Sequence, residues 1–384
     1  MHAKIFLHEL LGNAIHKSRV TLLTQVTTAI IKTKVLQLSS VGRSLELAIQ
    51  ERSGIRKVDR LLGNAFFQTH SKEIYAQIIR CVVSTKTRPL IIVDWTKLPN
   101  TEHYALRAAI AAESRAITLY EEVHPKKKEG NAAVHQAFLM QLQQLLPSTC
   151  RPIIITDAGF KNPWFKVVLS LGWDFIGRVR GLTKSDAGEG YKPCKELHSL
   201  ASPTPRYLGD WLLARKNPLK VGFYLVSHKL RGRKKRNKNS MISTHKDSRN
   251  YSNSYREPWV LVSSLKGFNV AGKVVKIYKK RMTIEEGFRD LKSTQYGFSM
   301  SENHTIRKER LIVWLLISAL ASLFAWVMGQ AAEKRELHYQ FQANSIRHRR
   351  VLSFFYLGCQ IIRKKIKIPI NLQSIVFDPM EVMI

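Results

Sequence analysis

Short apolar runs rich in β-branched residues alternate with helical patterns from Pro89 to about residue 180, and this alternation predicts an α/β core. Helical periodicity predicts one helix over Ala132–Leu146, stopped by Pro147, and a short helix from Pro163. The predicted strands are Leu90–Val93, Ala105–Ala112, Ala116–Val123, Ile153–Ile155 and Trp173–Val179. The order is therefore three strands, a helix, a strand, a helix and a strand.

Two hairpin connections followed by a helical crossover give a mixed sheet, and this order is that of the ribonuclease-H-like fold. A helical pattern precedes it at Leu7–Ala14, Val20–Val35 and Leu45–Gln50. After it, strands at Val221–Val226 and Trp259–Ser263 flank a very basic stretch. The predicted parts are a helical N-terminal region (1–85), the first half of the core (86–181), a β-rich basic insertion (182–265), the second half of the core (266–332) and a helical C-terminal region (333–384).

One apolar stretch, Leu311–Met328, has no charged residue and is just long enough to span a bilayer. An all-round apolar helix also fits the interior of a large domain. Because there is no second such stretch and this one carries two serines, we favour a buried core helix. We also expect no signal peptide at the N-terminus, which lacks a long uninterrupted apolar run.

The charge of the chain points to a polyanionic partner, since its formal net charge is +34 and its isoelectric point is about 10.2. Nucleic acid is the first candidate and an anionic membrane surface the second. With nucleic acid as the partner, the helical region 1–85 is predicted to be a DNA-binding region. The four cysteines are far apart and form no Cys-x-x-Cys pair, which predicts neither a zinc site nor a disulfide framework. This cysteine usage favours a reducing, cytoplasmic location.

Two aspartates stand at matching places in the predicted sheet. Asp94 and Asp157 each follow an apolar strand and lie five residues after a proline. On neighbouring strands in register, their backbones would be about 4.8 Å apart, so that both carboxylates could bind Mg²⁺, which prefers oxygen ligands. The alternative is that each aspartate only caps the turn after its strand.

A third carboxylate comes from a helical pattern between Tyr278 and Lys292. At about 100° per residue, the apolar residues form one stripe, and Tyr278, Arg281, Glu285 and Lys292 form a second stripe beside it. Glu286 points to the far side, so the helix geometry selects Glu285. Such a stripe suits metal and phosphate binding, although an ordinary solvated helix face with a salt bridge has the same composition.

The spacing Tyr-x2-Arg-x3-Glu-x6-Lys is identical to the YREK motif of the insertion sequence four family of bacterial DDE transposases, which this sequence resembles from about residue 40 to 355. It looks most like the insertion sequence ten branch of that family. The supporting segments are Arg56–Asn64, Val93–Trp95, Thr156–Phe160 with Pro163-Trp164, Glu257–Leu261, Phe288–Ser293 and Phe341–Asn344.

The resemblance implies a metal-dependent transposase in which Asp94, Asp157 and Glu285 are catalytic and bind two Mg²⁺ ions, or Mn²⁺ in their place. Cut-and-paste transposition would proceed by nicking, formation of a hairpin on the transposon end, and strand transfer. The partners would be double-stranded DNA, both terminal inverted repeats and target DNA, bound by a dimer or synaptic assembly away from any membrane.

Further DNA contacts are expected from Tyr278, Arg281 and Lys292, which would hold phosphates, and from Trp259, which would catch a displaced base unless it is a simple core residue. The basic insertion would add Arg231, Arg233, Lys234, Lys235 and Arg236. Two other functions stay open at this point. One is a structure-specific nuclease of the same fold, and the other is a non-catalytic DNA-binding relic of a transposase.

Overall fold

The computed structural model describes residues 2–46, 48–113, 115–227, 241, 257–343 and 345–369. They divide into two compact units. The first unit takes the described residues of Met1–Pro152 and Met282–Met383, and the second those of Ile153–Arg281. The basic cluster between Arg231 and Arg236 lies outside the described residues. All four cysteines are free thiols.

The sheet of the first unit has three antiparallel strands in the order β3-β2-β1. These are β1 (Leu90–Lys97), β2 (His103–Ala111) and β3 (Ala116–Pro125). The first four residues of β1 are fully buried, as expected of an apolar, β-branched strand inside an α/β core. The three predicted strands are therefore confirmed.

Helices cover this sheet and form most of the first unit. Before β1 come α1 (His2–Leu11), α2 (Lys17–Thr33), α3 (Leu38–Arg43), α4 (Glu51–Leu62), α5 (Ala65–Thr69) and α6 (Ser71–Val83). After β3 comes α7 (Ala132–Leu145), and the returning chain adds α10 (Met282–Lys292), α11 (Lys308–Glu333) and α12 (Phe354–Arg363). The predicted helix at Leu45–Gln50 is wrong for its described residues, because Gln50 is already the N-cap of α4.

The apolar stretch predicted to be a core helix is the middle of α11. In the described part of the chain, α11 is the one helix whose length and composition would allow it to cross a membrane. However, 89% of its most apolar 18-residue window is buried within the protein. At its crossing with α12, a Cβ on Gly358 would lie 1.7 Å from the carbonyl oxygen of Ala325, so only glycine permits this close approach. The buried position agrees with a core helix.

The second unit contains the remaining strands in the order β4-β5-β10-β9-β8-β6-β7. Strand β4 (Ile153–Thr156) is parallel to β5 (Asp174–Val179), and the other pairs are antiparallel, so the sheet is mixed. The others are β6 (Lys184–Asp186), β7 (Lys192–Pro193), β8 (Arg206–Leu213), β9 (Leu219–Val226) and β10 (Trp259–Ser263). Helix α8 (Asn162–Ser170) joins β4 to β5, and α9 (Val270–Tyr278) follows β10. The insertion is β-rich, as predicted.

The region between Tyr278 and Lys292 is not one continuous helix, which corrects the helical-wheel argument. Helix α9 ends at Tyr278, a 3-10 turn occupies Lys279–Arg281, and α10 begins at Met282. A 3-10 turn advances about 120° per residue instead of about 100°, so the angles of Tyr278 and Arg281 do not carry over to α10. The wheel remains valid within α10, where Ile284, Phe288 and Leu291 are buried.

Candidate active site

Asp94 lies inside β1, at the end of its fully buried run, and not after the strand as predicted, because pairing with β2 extends the strand to Lys97. Its side chain is half-buried, and its Oδ1 accepts the backbone N–H of Trp95 at 2.8 Å. In the strand register it is opposite Arg107 of β2, and cross-strand neighbours share one face of a sheet. Thr96, two residues further along β1, is on that same face by strand alternation.

Lys292, at the end of α10, is brought to this face of β1. Its Nζ donates a hydrogen bond of 2.6 Å to Oγ1 of Thr96. Burial lowers the pKa of Lys292 to about 8; the nearby Arg107 guanidinium lowers it as well, whereas the Asp94 carboxylate raises it. The hydrogen bond to Thr96 brings the ammonium group to the strand that carries Asp94. The structure therefore brings together two residues that are far apart in sequence and that the sequence analysis assigned to one site.

A buried ion pair lies under α10. Nη2 of Arg107 donates to Oε2 of Glu121 at 2.9 Å, and the two side chains are 6% and 1% exposed. The guanidinium also lies 4.8 Å from the centroid of the Phe288 ring, within cation–π range. Burial raises the pKa of Glu121, and Arg107 opposes that rise. Removing either partner would leave an unpaired buried charge, so this pair stabilises the β2–β3 part of the sheet, and the cation–π contact with Phe288 connects α10 to it.

The two neighbouring glutamates of α10 differ in their surroundings. Glu286 forms ion pairs with Arg115, at 3.7 Å, and with Arg289 one helical turn away. Arg115 also pairs with the buried Asp290. Glu286 is thus used in a structural network on one side of the helix. Glu285 is half-buried and lies one turn before Phe288, which packs beside Arg107. Both glutamates are half-buried, and Glu286 does not point away from the protein as the helical wheel predicted, because it pairs with the largely buried Arg115. The choice of Glu285 therefore stays a prediction.

Asp157 belongs to the second unit and directly follows β4. Its Oδ1 accepts the backbone N–H of Gly159 at 2.7 Å, which is an Asx turn. A Cβ on Gly159 would lie 3.0 Å from that oxygen, so the glycine leaves room for the carboxylate. The hydrogen bond orients Asp157, and the side chain stays half-buried.

Trp259 and Tyr278 form a pair in the second unit, with ring centroids 5.0 Å apart in an edge arrangement. Tyr278 is 2% exposed, whereas Trp259 is half-buried. Two arginines, Arg178 on β5 and Arg180 directly after it, lie near this aromatic pair and were not predicted as site residues from the sequence. Burial lowers the pKa of Arg178 to about 10, with Arg180 and Arg281 also lowering it and Tyr278 raising it.

Arg178 has two buried N–H groups, Nε and Nη2, to which the described residues offer no acceptor. Arg180 approaches Glu257 at 3.6 Å. Three guanidinium groups near a tyrosine and a tryptophan suit a phosphate oxygen and a base. The only sequence signal for Arg178 and Arg180 was their alternation on the predicted strand that follows the second aspartate.

The three carboxylates are divided between the units, with Asp94 and Glu285 in the first and Asp157 in the second. Within the described ranges, no three His, Cys, Asp or Glu side chains are grouped closely enough to hold a metal ion. The assignment of these residues as metal ligands therefore stays a prediction.

Comparison with known proteins gives one family. A search of curated proteins found no significant match. The family described as transposase DDE domain matches residues 85–324, which contain all three carboxylates. The match spans well over half of the chain and confirms the ribonuclease-H-like α/β class predicted from the strand order. The chain belongs to the DDE-domain transposase family.

Proposed function

We propose that this transposase performs cut-and-paste transposition of an insertion sequence, with Asp94, Asp157 and Glu285 as its catalytic carboxylates. The observation that carries the proposal is the position of Lys292, which α10 brings to Thr96 on β1, two residues from Asp94. That contact joins the Asp94 strand to the helix that carries the Glu-x6-Lys half of the YREK motif.

The donor set fits a hard divalent cation. All three groups are half-buried carboxylates, and Asp94 and Asp157 are each oriented by a local backbone N–H. Oxygen ligands of this kind are those that Mg²⁺, and Mn²⁺ in its place, prefer. When bound, two such ions would activate an attacking oxygen and stabilise the leaving oxygen of a phosphodiester. Asp94, Asp157 and Glu285 would hold them.

The reaction consists of successive in-line attacks on phosphodiesters. Water first attacks at the transposon end and releases a 3′-OH. That hydroxyl then attacks the opposite strand, giving a hairpin, which a second water opens. Finally the 3′-OH joins target DNA. Each step replaces one P–O bond by another, so one site is sufficient for all of them and no covalent protein–DNA intermediate is required.

In this proposal the cations hold the DNA backbone, and Tyr278 supports the arginines among them. Lys292 contacts a phosphate beside the carboxylates, while Arg281, Arg178 and Arg180 contact phosphates from the second unit. Tyr278 is almost fully buried, which suits a residue that supports these arginines better than one that attacks a phosphate. Charged N–H donors of this kind bind phosphate oxygens strongly.

Hairpin formation bends the DNA sharply, and we assign Trp259 to the displaced base. Its edge contact with Tyr278 orients the ring, and the residue is only half-buried. Bases that leave the helix are usually held by aromatic side chains. A fully buried core tryptophan would not serve, and Trp259 is not fully buried.

Sequence-specific binding of the transposon ends is assigned to the N-terminal helices. The exposed side of α4 carries Arg52, Arg56 and Arg60, one helical turn apart. Helix α4 packs closely on α3, where a Cβ on Gly54 would lie 2.4 Å from the carbonyl oxygen of Gly42. The cluster from Arg231 to Arg236 adds further positive charge for DNA. We also propose that the protein acts in the cytoplasm as a dimer or synaptic assembly.

The test uses duplexes taken from the DNA that flanks the reading frame, incubated with Mg²⁺ or Mn²⁺ and analysed on a denaturing gel. The wild-type protein should yield nicked, hairpin and strand-transfer products. Asp94→Asn, Asp157→Asn and Glu285→Gln should abolish all of them and leave DNA binding intact. Nicks without hairpins would favour a simple nuclease, and binding without cleavage a non-catalytic relic.

A further inference from the structure

Lys292 reaches the candidate site through a long, flexible side chain, and one contact determines where its ammonium group lies. In the described part of the chain, that group donates a single side-chain hydrogen bond, to Oγ1 of Thr96 at 2.6 Å. An ammonium group has three donors, so two N–H groups remain for phosphate oxygens. Thr96 is 7% exposed, so its hydroxyl is a fixed, buried acceptor.

Thr96 supplies the hydrogen-bond acceptor that fixes the ammonium group of Lys292 within charged surroundings. The Asp94 carboxylate attracts the ammonium group, whereas Arg107, on the neighbouring strand, repels it and burial disfavours its charge. The Phe288 ring centroid is 5.9 Å from Nζ, at the outer limit of a cation–π contact. A lysine has about 2 kcal/mol of rotamer freedom to lose when it is fixed. A valine at position 96 would have the same shape but offer no acceptor.

Both partners of this hydrogen bond stand on rigid supports. Thr96 lies in β1, paired with Ala105 of β2. Lys292 lies one helical turn after Phe288, which packs on the buried Arg107–Glu121 ion pair. The hydrogen bond therefore connects two fixed elements, and its geometry is set before DNA binds.

We propose that Thr96 is a positioning residue for strand cleavage, because its hydroxyl holds the ammonium group of Lys292 beside Asp94, ready to contact the phosphate under attack. The proposal rests on the proposed function. It adds a residue that does not belong to the Asp-Asp-Glu triad or to the YREK motif. Preorganised charge of this kind acts on the reaction without paying for its own reorientation at the moment of attack.

The experiment measures single-turnover cleavage of flanking-DNA duplexes by purified full-length protein at saturating enzyme. Thr96→Val should lower the cleavage rate by about 10- to 100-fold, the range for losing a hydrogen bond to a charged group. The dissociation constant for the duplex and the thermal melting temperature should change little. Thr96→Ser, which restores the hydroxyl, should recover most of the rate.

A double-mutant cycle tests whether Thr96 acts through Lys292. Thr96→Val should cost little further rate in a Lys292→Ala background, since residues that act as a unit are not additive. Thr101→Val is the matched control. It removes a buried hydroxyl that bonds the turn after β1, so it should affect melting more than the rate of the folded enzyme.

Three outcomes would overturn the inference while the proposed function stands: full additivity with Lys292→Ala, no rescue by serine, or a rate loss no larger than that of Thr101→Val. If the wild-type protein does not cleave, or if Asp94→Asn cleaves normally, the proposed function fails and the inference fails with it. If the Thr96→Val protein does not fold, the cleavage rates of Thr96→Ala and Thr96→Ser are compared instead.

Discussion

Mild acid should destabilise the first unit through His135, which stands in the first turns of α7 and is 4% exposed. Its Nε2 accepts a hydrogen bond from Nε1–H of Trp95 at 2.9 Å, which requires a neutral ring. Trp95 follows Asp94 on β1, and its ring also meets His124 edge-on. Protonation of His135 would remove the acceptor and place a positive charge in a buried position near His124.

The magnitude follows from the pKa of His135, which burial, aided by His124, lowers from 6.5 to about 4. In the unfolded chain the imidazole takes up its proton near its ordinary pKa, so between these two values the unfolded state binds more protons than the folded state. Folding stability therefore falls as the pH falls through this window. Integrating the linkage relation gives a loss of about 2 kcal/mol between about pH 7 and pH 5.

The assay compares wild-type protein with His135→Gln by urea unfolding across this range. Glutamine offers a carbonyl oxygen to the Trp95 N–H but does not titrate, so the difference between the two proteins isolates the histidine from carboxylates that titrate in both. The wild type should lose about 2 kcal/mol more than the variant between about pH 7 and pH 5. A parallel NMR titration should show the His135 ring remaining neutral down to about pH 4. Equal pH dependence in both proteins, or a ring that titrates near its ordinary value, would refute the reasoning.

Three further predictions concern the reaction and the DNA. Glu285→Ala should abolish nicking while Glu286→Ala, which removes only partly exposed ion pairs, should cut the rate little; the reverse result on a denaturing gel would contradict the α10 assignment. Trp259→Ala should lower the ratio of hairpin to nicked strand by roughly 5- to 150-fold, the factor for one stacked base, whereas an equal loss of both products would indicate a folding defect. Neutralising the five basic residues of the 231–236 cluster together should reduce the slope of log affinity against log salt, and an unchanged slope would show that they do not touch phosphate.

The sequence by itself determined much of the secondary structure of this protein. Continuous apolar runs rich in β-branched residues predict the strands at Leu90 and Ile153, because a strand buried on both faces requires them. The long apolar run predicts a helix that has to be buried, because its apolar side chains are unfavourable in water. The Glu-x6-Lys spacing that suggested Glu285 and Lys292 as site residues is also a property of the sequence alone.

Only the tertiary structure decided the interactions between segments that are distant in the chain. A wheel drawn through residues 278–292 could not show the 3-10 turn at Lys279–Arg281, since that turn has no distinctive composition. Nor could the sequence indicate that Thr96 receives the ammonium group of Lys292, that Arg107 and Glu121 pair beneath α10, or that Arg178 joins Tyr278. These contacts depend on strand register and helix placement, which are set by the packing of the whole core and not by any one segment's pattern.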